Sequence, residues 1–298
     1  MLKKLDDRLS QVVSEVGFTY CNCLYIEDDV KTLIETGASD RSWSDIDTQS
    51  IDRVLYTHHH IDHIRGNAMF TRAKAYIHPM DAKALANLQS FIHYNSIDMW
   101  QELMPDHAYA NATDLNVAPN EFEKMIQVDG TFEDGEIIDL GATKIQVLHT
   151  PGHSAGHCAF WFPEREFLFS GDICLTKAGP WYGEIYADPG QMIDSINRVI
   201  ELKPKAILSS HIQKAVTDCI PCLEEYRDRI LRRDDNVRHF LKKKPQTIHE
   251  MAGHGLIYKD YPTMWVIFWE KLMIIKHLKR LQQAGMVRKV ENDLYIAS

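Results

Sequence analysis

Between His58 and His63 the chain reads HHHIDH, four histidines and one aspartate in six consecutive positions. Imidazole nitrogens and carboxylate oxygens are the donors that Zn²⁺ and neighbouring transition metals take. Three adjacent histidines cannot all reach one point. On a strand successive side chains alternate, so His58 and His60 face one way and His59 the other. Asp62 and His63 follow where the strand gives way to a turn and helix, and the curling backbone swings both towards the same pocket. His59 is expected to brace the site from behind. Two ligands per ion is too few, so more must come from downstream strand ends. His153 in HTPGHSAGH, Asp172 in FSGD and His211 in ILSSH each end a strand or directly follow one. His149 and His157, close to His153, are expected not to be ligands.

Rigid elements must hold these side chains. FTYCNCLYI (18–26) and VKTLIETG (30–37), joined by an acidic turn, read as a hairpin of two strands. DRVLYTH (52–58) and AKAYIHP (73–79) are further strands, separated by a short helical segment over 65–71. Residues 81–125 turn helical in pattern. Strand texture resumes in TKIQVLHT (143–150), HCAFWF (157–162), EFLFSGD (166–172) and KAILSSH (205–211). The last two are separated by a helix over 188–203, with Asp188 as N-cap and Pro189 at its first position. After Cys222 comes an amphipathic helix, then a short helix opened by the capping box TIHE (247–250), then a long helix closed by Gly285. A small hairpin over 286–297 ends the chain. That order describes a winged-helix module. The expected organisation is an α/β catalytic domain over 1–222, with a helical insertion at 81–125, and a winged-helix domain over 223–298.

Charge divides at the same place. Residues 223–298 carry 15 Lys and Arg against 10 Asp and Glu (+5), and the preceding 222 residues carry 18 against 32 (−14). The net charge of −9 argues against a general nucleic-acid binder. No apolar run reaches the roughly 18 residues that span a bilayer. The N-terminal segment has acidic residues and no small-residue cleavage site, so it does not read as a signal peptide. Six cysteines without a small secreted framework read as reduced buried thiols, and the expected compartment is the cytoplasm.

THHHIDH, IETG, HTPGHSAGH, SGD and the histidine of ILSSH stand in the order of the metallo-β-lactamase superfamily, which the chain resembles from Phe18 to Ile212. The resemblance implies an αββα sandwich with a dinuclear metal site along one edge of its sheets. It implies His58, His60 and His153 on one ion, and Asp62, His63 and His211 on the other, with Asp172 bridging. Asp62 and Asp172 are the candidate catalytic carboxylates. Aspartate rather than cysteine at position 172 resembles the glyoxalase II and lactonase branches, and histidine at 60 differs from the glutamate of flavodiiron proteins. Glu35 stands where the family usually has aspartate, beneath the metals. The implied cofactors are two divalent ions, zinc first, with iron or manganese as alternatives.

Two such ions lower the pKa of a shared water, so the expected reagent is a metal-bridging hydroxide. Its expected target is a small carboxylic ester, thioester or lactone. The alternatives are a phosphodiesterase or endoribonuclease, and a diiron redox or sensory protein. No G-x-S-x-G elbow offers a serine nucleophile. The candidate pocket residues are His93 and Trp100 from the insertion, and Trp181 and Tyr182 from LTKAGPWYGEIY (175–186). SSHIQK lacks the glycines that usually flank the family's last histidine, and no basic trio marks a glutathione site. The winged helix is expected to pack on the catalytic domain or on a homodimer partner, and not to bind nucleic acid.

Overall fold

Alternating side chains along short strands build two facing sheets in the computed structural model of the protein, which describes residues 1–14, 19–108 and 128–298. Phe18 of the expected first strand and residues 109–125 of the expected insertion lie outside the described residues. The first sheet runs β1 (Leu2–Lys4), β2 (Leu9–Val12), β3 (Cys23–Ile26), β4 (Thr32–Ile34), β5 (Arg53–Leu55), β6 (Lys74–Ile77) and β7 (Gly130–Thr131) in spatial order. Its pairing is antiparallel as far as β4 and parallel beyond it. The second sheet comprises β8 (Ile137–Asp139), β9 (Lys144–His149), β10 (Cys158–Phe162), β11 (Phe167–Phe169) and β12 (Ala206–Leu208), in the order β12-β11-β10-β9-β8.

Strand β10 shows the layering. Cys158, Phe160 and Phe162 enter a core shared with Leu24, Ile26, Ile34 and Leu55 of the first sheet. Ala159 and Trp161 point the other way, into a core with Met192, Ile196 and Val199. The first sheet alternates likewise, sending Cys23, Tyr25, Leu33 and Val54 to its own outer face against Ile64 and Phe91. Each apolar side chain fully withdrawn this way contributes about 2 kcal/mol. Helices α1 (Ile61–Ile64), α2 (Pro79–Ala82), α3 (Leu88–Tyr94) and α4 (Trp100–Leu103) follow β5 and β6. Helix α5 (Pro189–Leu202) begins at Asp188, whose carboxylate accepts from the backbone N–H of Gly190 and Gln191.

Beyond β12 the chain forms α6 (Cys219–Leu241), α7 (Ile248–Met251), α8 (Met264–Gln283) and the hairpin β13 (Val287–Lys289) with β14 (Tyr295–Ala297). Both halves of the capping box at Thr247 and Glu250 are made. Leu223, Tyr226, Ile230 and Val237 of α6, and Met273, Ile274 and Leu278 of α8, join the hydrophobic cluster on the outer face of the second sheet. These elements therefore pack directly on the sandwich. No helix among the described residues is long and apolar enough to cross a membrane.

Candidate metal centre

β5 ends at Leu55, so the histidine run lies on the loop that leaves the strand. At His60, the N-cap of α1, the backbone is extended, with φ −65° and ψ 149°. Alternation therefore survives the end of the ladder. His58 and His60 converge with His153 from the loop after β9. His58 Nε2 stands 2.9 Å from His60 Nδ1, and His153 Nε2 stands 3.1 Å from the former and 3.0 Å from the latter. Tetrahedral ligands on zinc at about 2.0–2.1 Å lie about 3.3 Å from one another, close to this spacing.

The groups behind the opposite ring nitrogens assign the protons. His153 Nδ1 donates to the Trp181 carbonyl at 2.9 Å, and His60 Nε2 donates to Glu184 Oε2 at 3.0 Å. Thr57 Oγ1 donates to Glu35, leaving its lone pair to accept from His58 Nδ1 at 2.8 Å. A neutral imidazole has one N–H. Three lone pairs consequently face one another, an arrangement that fits a cation. Burial, and then the neighbouring His63 and His60, hold His58 well below the ordinary imidazole range. Burial and His60 do the same for His153 despite Asp172. Both imidazoles are thereby kept neutral.

Asp62, His63 and His211 form the neighbouring group. Asp172 stands between the two sets: Oδ1 lies 3.3 Å from His63 Nε2 and 3.2 Å from His211 Nε2, while Oδ2 lies 3.4 Å from His153 Nε2. Against the cost of burial, His211, His153 and His63 hold the Asp172 carboxyl well below the usual carboxylate range. Among the described residues, both ring nitrogens of His63 and Oδ1 of Asp172 are buried without an aligned hydrogen-bond partner. Buried polar atoms are normally satisfied, so this donor set also fits a cation.

The floor is built by the IETG turn. Glu35, buried and at φ 69°, accepts from the Thr57 backbone N–H at 3.1 Å and lies 3.3 Å from His63 Nδ1. Thr36 N–H donates to the His63 carbonyl at 2.8 Å. Gly37 lies so close to α1 that a Cβ there would stand 1.5 Å from the Asp62 carbonyl oxygen.

His59 points away from both sets and is fully buried. Its Nδ1 donates to Asp81 Oδ2 at 2.9 Å, and its Nε2 stands 3.2 Å from Glu184 Oε2. Burial opposes its charge, but Asp81 and Glu184 outweigh that and raise it to about 10. His157 Nε2 accepts from the Asp172 backbone N–H at 2.9 Å, steadying Asp172 from beneath. His149 stacks on His78 at 4.2 Å. Neither Asp81 nor Glu184 stands out in the sequence; each reaches the site only through folding.

Of the four candidate pocket residues, Trp181 lines a cavity of about 1180 Å³ above the two sets, its ring 5.2 Å from His60 and 5.3 Å from His153. The other three lie elsewhere. Tyr182 is fully buried, donating to His277 Nε2 at 2.9 Å and accepting from Arg233 at 3.1 Å. The two neighbours thus part company, Trp181 to the cavity and Tyr182 to His277 and Arg233. Trp100 is buried against Trp265 and Phe268. His93 sits at the surface, its Nδ1 2.7 Å from Asp98 Oδ2. Trp265 and Trp269 of α8 take their place along the cavity, with Phe91 and Ile97.

The family model of the metallo-beta-lactamase superfamily matches residues 16–211. The chain is 24% identical over 252 residues to a beta-lactamase-like protein 2 homolog of Drosophila melanogaster, covering 83% of this chain and 75% of that one. It is 25% identical to a hydroxyacylglutathione hydrolase of Rhodospirillum rubrum, covering 62% of this chain and 55% of that one. It is 31% identical to an acyl-coenzyme A thioesterase of Bos taurus, covering 51% of each. Among solved structures, a metallo-beta-lactamase family protein from Thermus thermophilus superposes with a TM-score of 0.78 at 21% identity, covering 99% of this chain and all of that one.

Proposed function

From the premise that the chain belongs to the metallo-beta-lactamase superfamily, we propose that it is a dinuclear metal-dependent hydrolase of small carboxylic thioesters, with carboxylic esters and lactones as neighbouring substrates. The observation that carries this reading is the convergence of seven side chains on two points that share Asp172. His58, His60 and His153 would hold one ion, Asp62, His63 and His211 the other, and Asp172 both. The nitrogen-rich donor set favours zinc. When bound, the pair of ions supplies Lewis acidity and lowers the pKa of water at neutral pH.

The chain's own groups do the rest. The Thr57, Trp181 and Glu184 oxygens fix the three imidazole rings, so no reorientation is needed when substrate arrives. Glu35 and the Thr36 N–H hold the second set from below. Trp181 walls the ligand cluster against the open cavity and, with Phe91, Ile97, Trp265 and Trp269, offers an apolar seat for an acyl group. Thioesters come first because the hydroxyacylglutathione hydrolase and the acyl-coenzyme A thioesterase are named for them.

The order of α6, α7, α8 and the β13–β14 hairpin supports reading residues 223–298 as a winged helix whose role is to wall the cavity. Six unpaired cysteines support a cytoplasmic setting. The test is a panel of thioester, lactone and phosphodiester substrates assayed with protein of measured metal content. Metal-dependent thioester turnover above the other classes is expected. Turnover of phosphodiesters alone, or full activity in metal-free protein, would overturn the proposal.

A further inference from the structure

We propose that Glu184 is a positioning residue of this centre, holding His60 in the tautomer that turns Nδ1 towards His58 and His153. The proposal rests on reading those three histidines as metal ligands. Glu184 lies 124 residues from His60 and is completely buried. Its Oε2 accepts from His60 Nε2 at 3.0 Å and stands 3.2 Å from His59 Nε2. Its Oε1 is buried without a hydrogen-bond partner among the described residues. A half-satisfied buried carboxylate is costly, and packing alone would be better served by an apolar side chain. What Glu184 touches therefore accounts for its presence.

His60 differs from the other two members of its set. His58 and His153 present Nε2, whereas His60 presents Nδ1. A neutral imidazole is free to hold its proton on either nitrogen. With the proton on Nδ1, His60 would aim an N–H at the point where three lone pairs must meet. A carboxylate at Nε2 removes that choice by demanding the proton there.

Glu184 is in turn kept in place from behind. Asp81 Oδ2 accepts from His59 Nδ1 at 2.9 Å, from the His59 backbone N–H at 3.2 Å and from Ser154 Oγ at 2.7 Å, and Oδ1 accepts from the Gly156 N–H at 2.6 Å. Asp81 thus ties the His58–His60 loop to the His153 loop. His59 carries that anchorage across to Glu184 as an ion pair at 3.2 Å, without an aligned hydrogen bond among the described residues, and Glu184 passes it to His60. The path Asp81–His59–Glu184–His60 explains why the middle histidine of three is as deeply buried as its neighbours.

The same groups could instead hold an ion of their own, since His59, His60 and Glu184 offer atoms within 4.8 Å of one another. That would require His60 to lend both ring nitrogens to metals, and metal counting separates the two cases.

The experiment uses full-length parent, E184Q and E184A proteins loaded with Zn²⁺ or Co²⁺. Affinity and stoichiometry are read by competition with a chromophoric chelator, tautomers by ¹H–¹⁵N correlation of the imidazoles, and folding by circular dichroism. The parent is expected to bind two equivalents with His60 protonated at Nε2. E184A is expected to lose about 10- to 100-fold in affinity for the ion of the His58–His60–His153 set. E184Q, whose amide oxygen still accepts the N–H, keeps the tautomer and loses less. Should E184A fail to fold, E184D, which draws the oxygens back by one methylene, replaces it with the same expectation. Affinities of the truncated variants within twofold of the parent would overturn the proposal. So would His60 protonated at Nδ1 in the parent, or a third equivalent that depends on Glu184. A parent that binds no metal sinks the metal-centre reading itself, whereas metal binding indifferent to position 184 sinks only the role of Glu184.

Discussion

Replacing Gly37 with alanine tests how closely the IETG turn sets the candidate metal centre. The added Cβ would stand 1.5 Å from the Asp62 carbonyl oxygen, 2.5 Å from its carbon and 2.8 Å from Cys21 Sγ. Because real Cβ contacts come no closer than 3.0 Å, the turn or α1 must yield by at least the difference of 1.5 Å. The obstacle is backbone, not the end of a flexible side chain. Both parts are also pinned, by Thr36 N–H to the His63 carbonyl at 2.8 Å and by Cys21 N–H to the Gly37 carbonyl at 3.2 Å. The displacement therefore passes into Asp62 and His63. Overpacking of this kind costs about 1–3 kcal/mol, and rigid backbone places the site near the upper end. At about 2–4 °C per kcal/mol, Tm should fall by roughly 6–12 °C. A 1 Å misplacement of reacting groups costs about 100-fold in rate, so turnover should fall at least that far. Thermal unfolding, metal content by mass spectrometry and steady-state turnover read the three effects. A G37A protein with two metals, parental Tm and parental turnover would refute the claim that this turn sets the geometry.

Three further outcomes are expected. D172N keeps the shape of the side chain but removes the charge facing His63, His211 and His153; losing two or more charge-assisted contacts costs about 3 kcal/mol or more, so one metal equivalent and at least about 100-fold of turnover should disappear. Y182F deletes the hydroxyl held by His277 and Arg233, so urea unfolding should show a loss of about 1–3 kcal/mol while kcat/KM stays at the parental value; a raised KM would return Tyr182 to the cavity. Lys276 is depressed to about 8 by burial, although Glu184 opposes this. The folded chain thus holds fewer protons than the unfolded chain between about pH 8 and 10.4, and stability from this group rises with pH across that window, by about 2 kcal/mol. The stability of the parent relative to K276M, measured by urea unfolding at pH 7.5 and 10, should shift in the parent's favour at the higher pH, and an unchanged difference would contradict the assignment.

Much of the sandwich is legible in the sequence because its central strands are apolar runs bounded by turns. HCAFWF becomes β10 and TKIQVLHT becomes β9 with one or two residues trimmed from the ends. The helix after Asp188 and the capping box at Thr247 are equally readable, since both depend on residues within one turn of each other. The edges are not. β1 is three largely exposed residues and β7 only two, too short to carry a period and held mainly by their neighbours' ladders. The pocket is harder still. Trp181 and Tyr182 are identical in promise as sequence, and only the path of the loop sends one to the cavity and the other to Arg233.

Composition and local spacing by themselves determined which side chains have metal-binding chemistry and that His59 must face away from its two neighbours, because ligand type and backbone alternation are properties of a few adjacent residues. Tertiary structure alone decided which nitrogen His60 and His153 present. That choice belongs to the acceptor on the far side of each ring, and for His60 and His153 the acceptors are Glu184, 124 residues away, and the Trp181 carbonyl, 28 residues away. A proton's place on an imidazole depends on the partner across the ring, and folding, not spacing, brings that partner there.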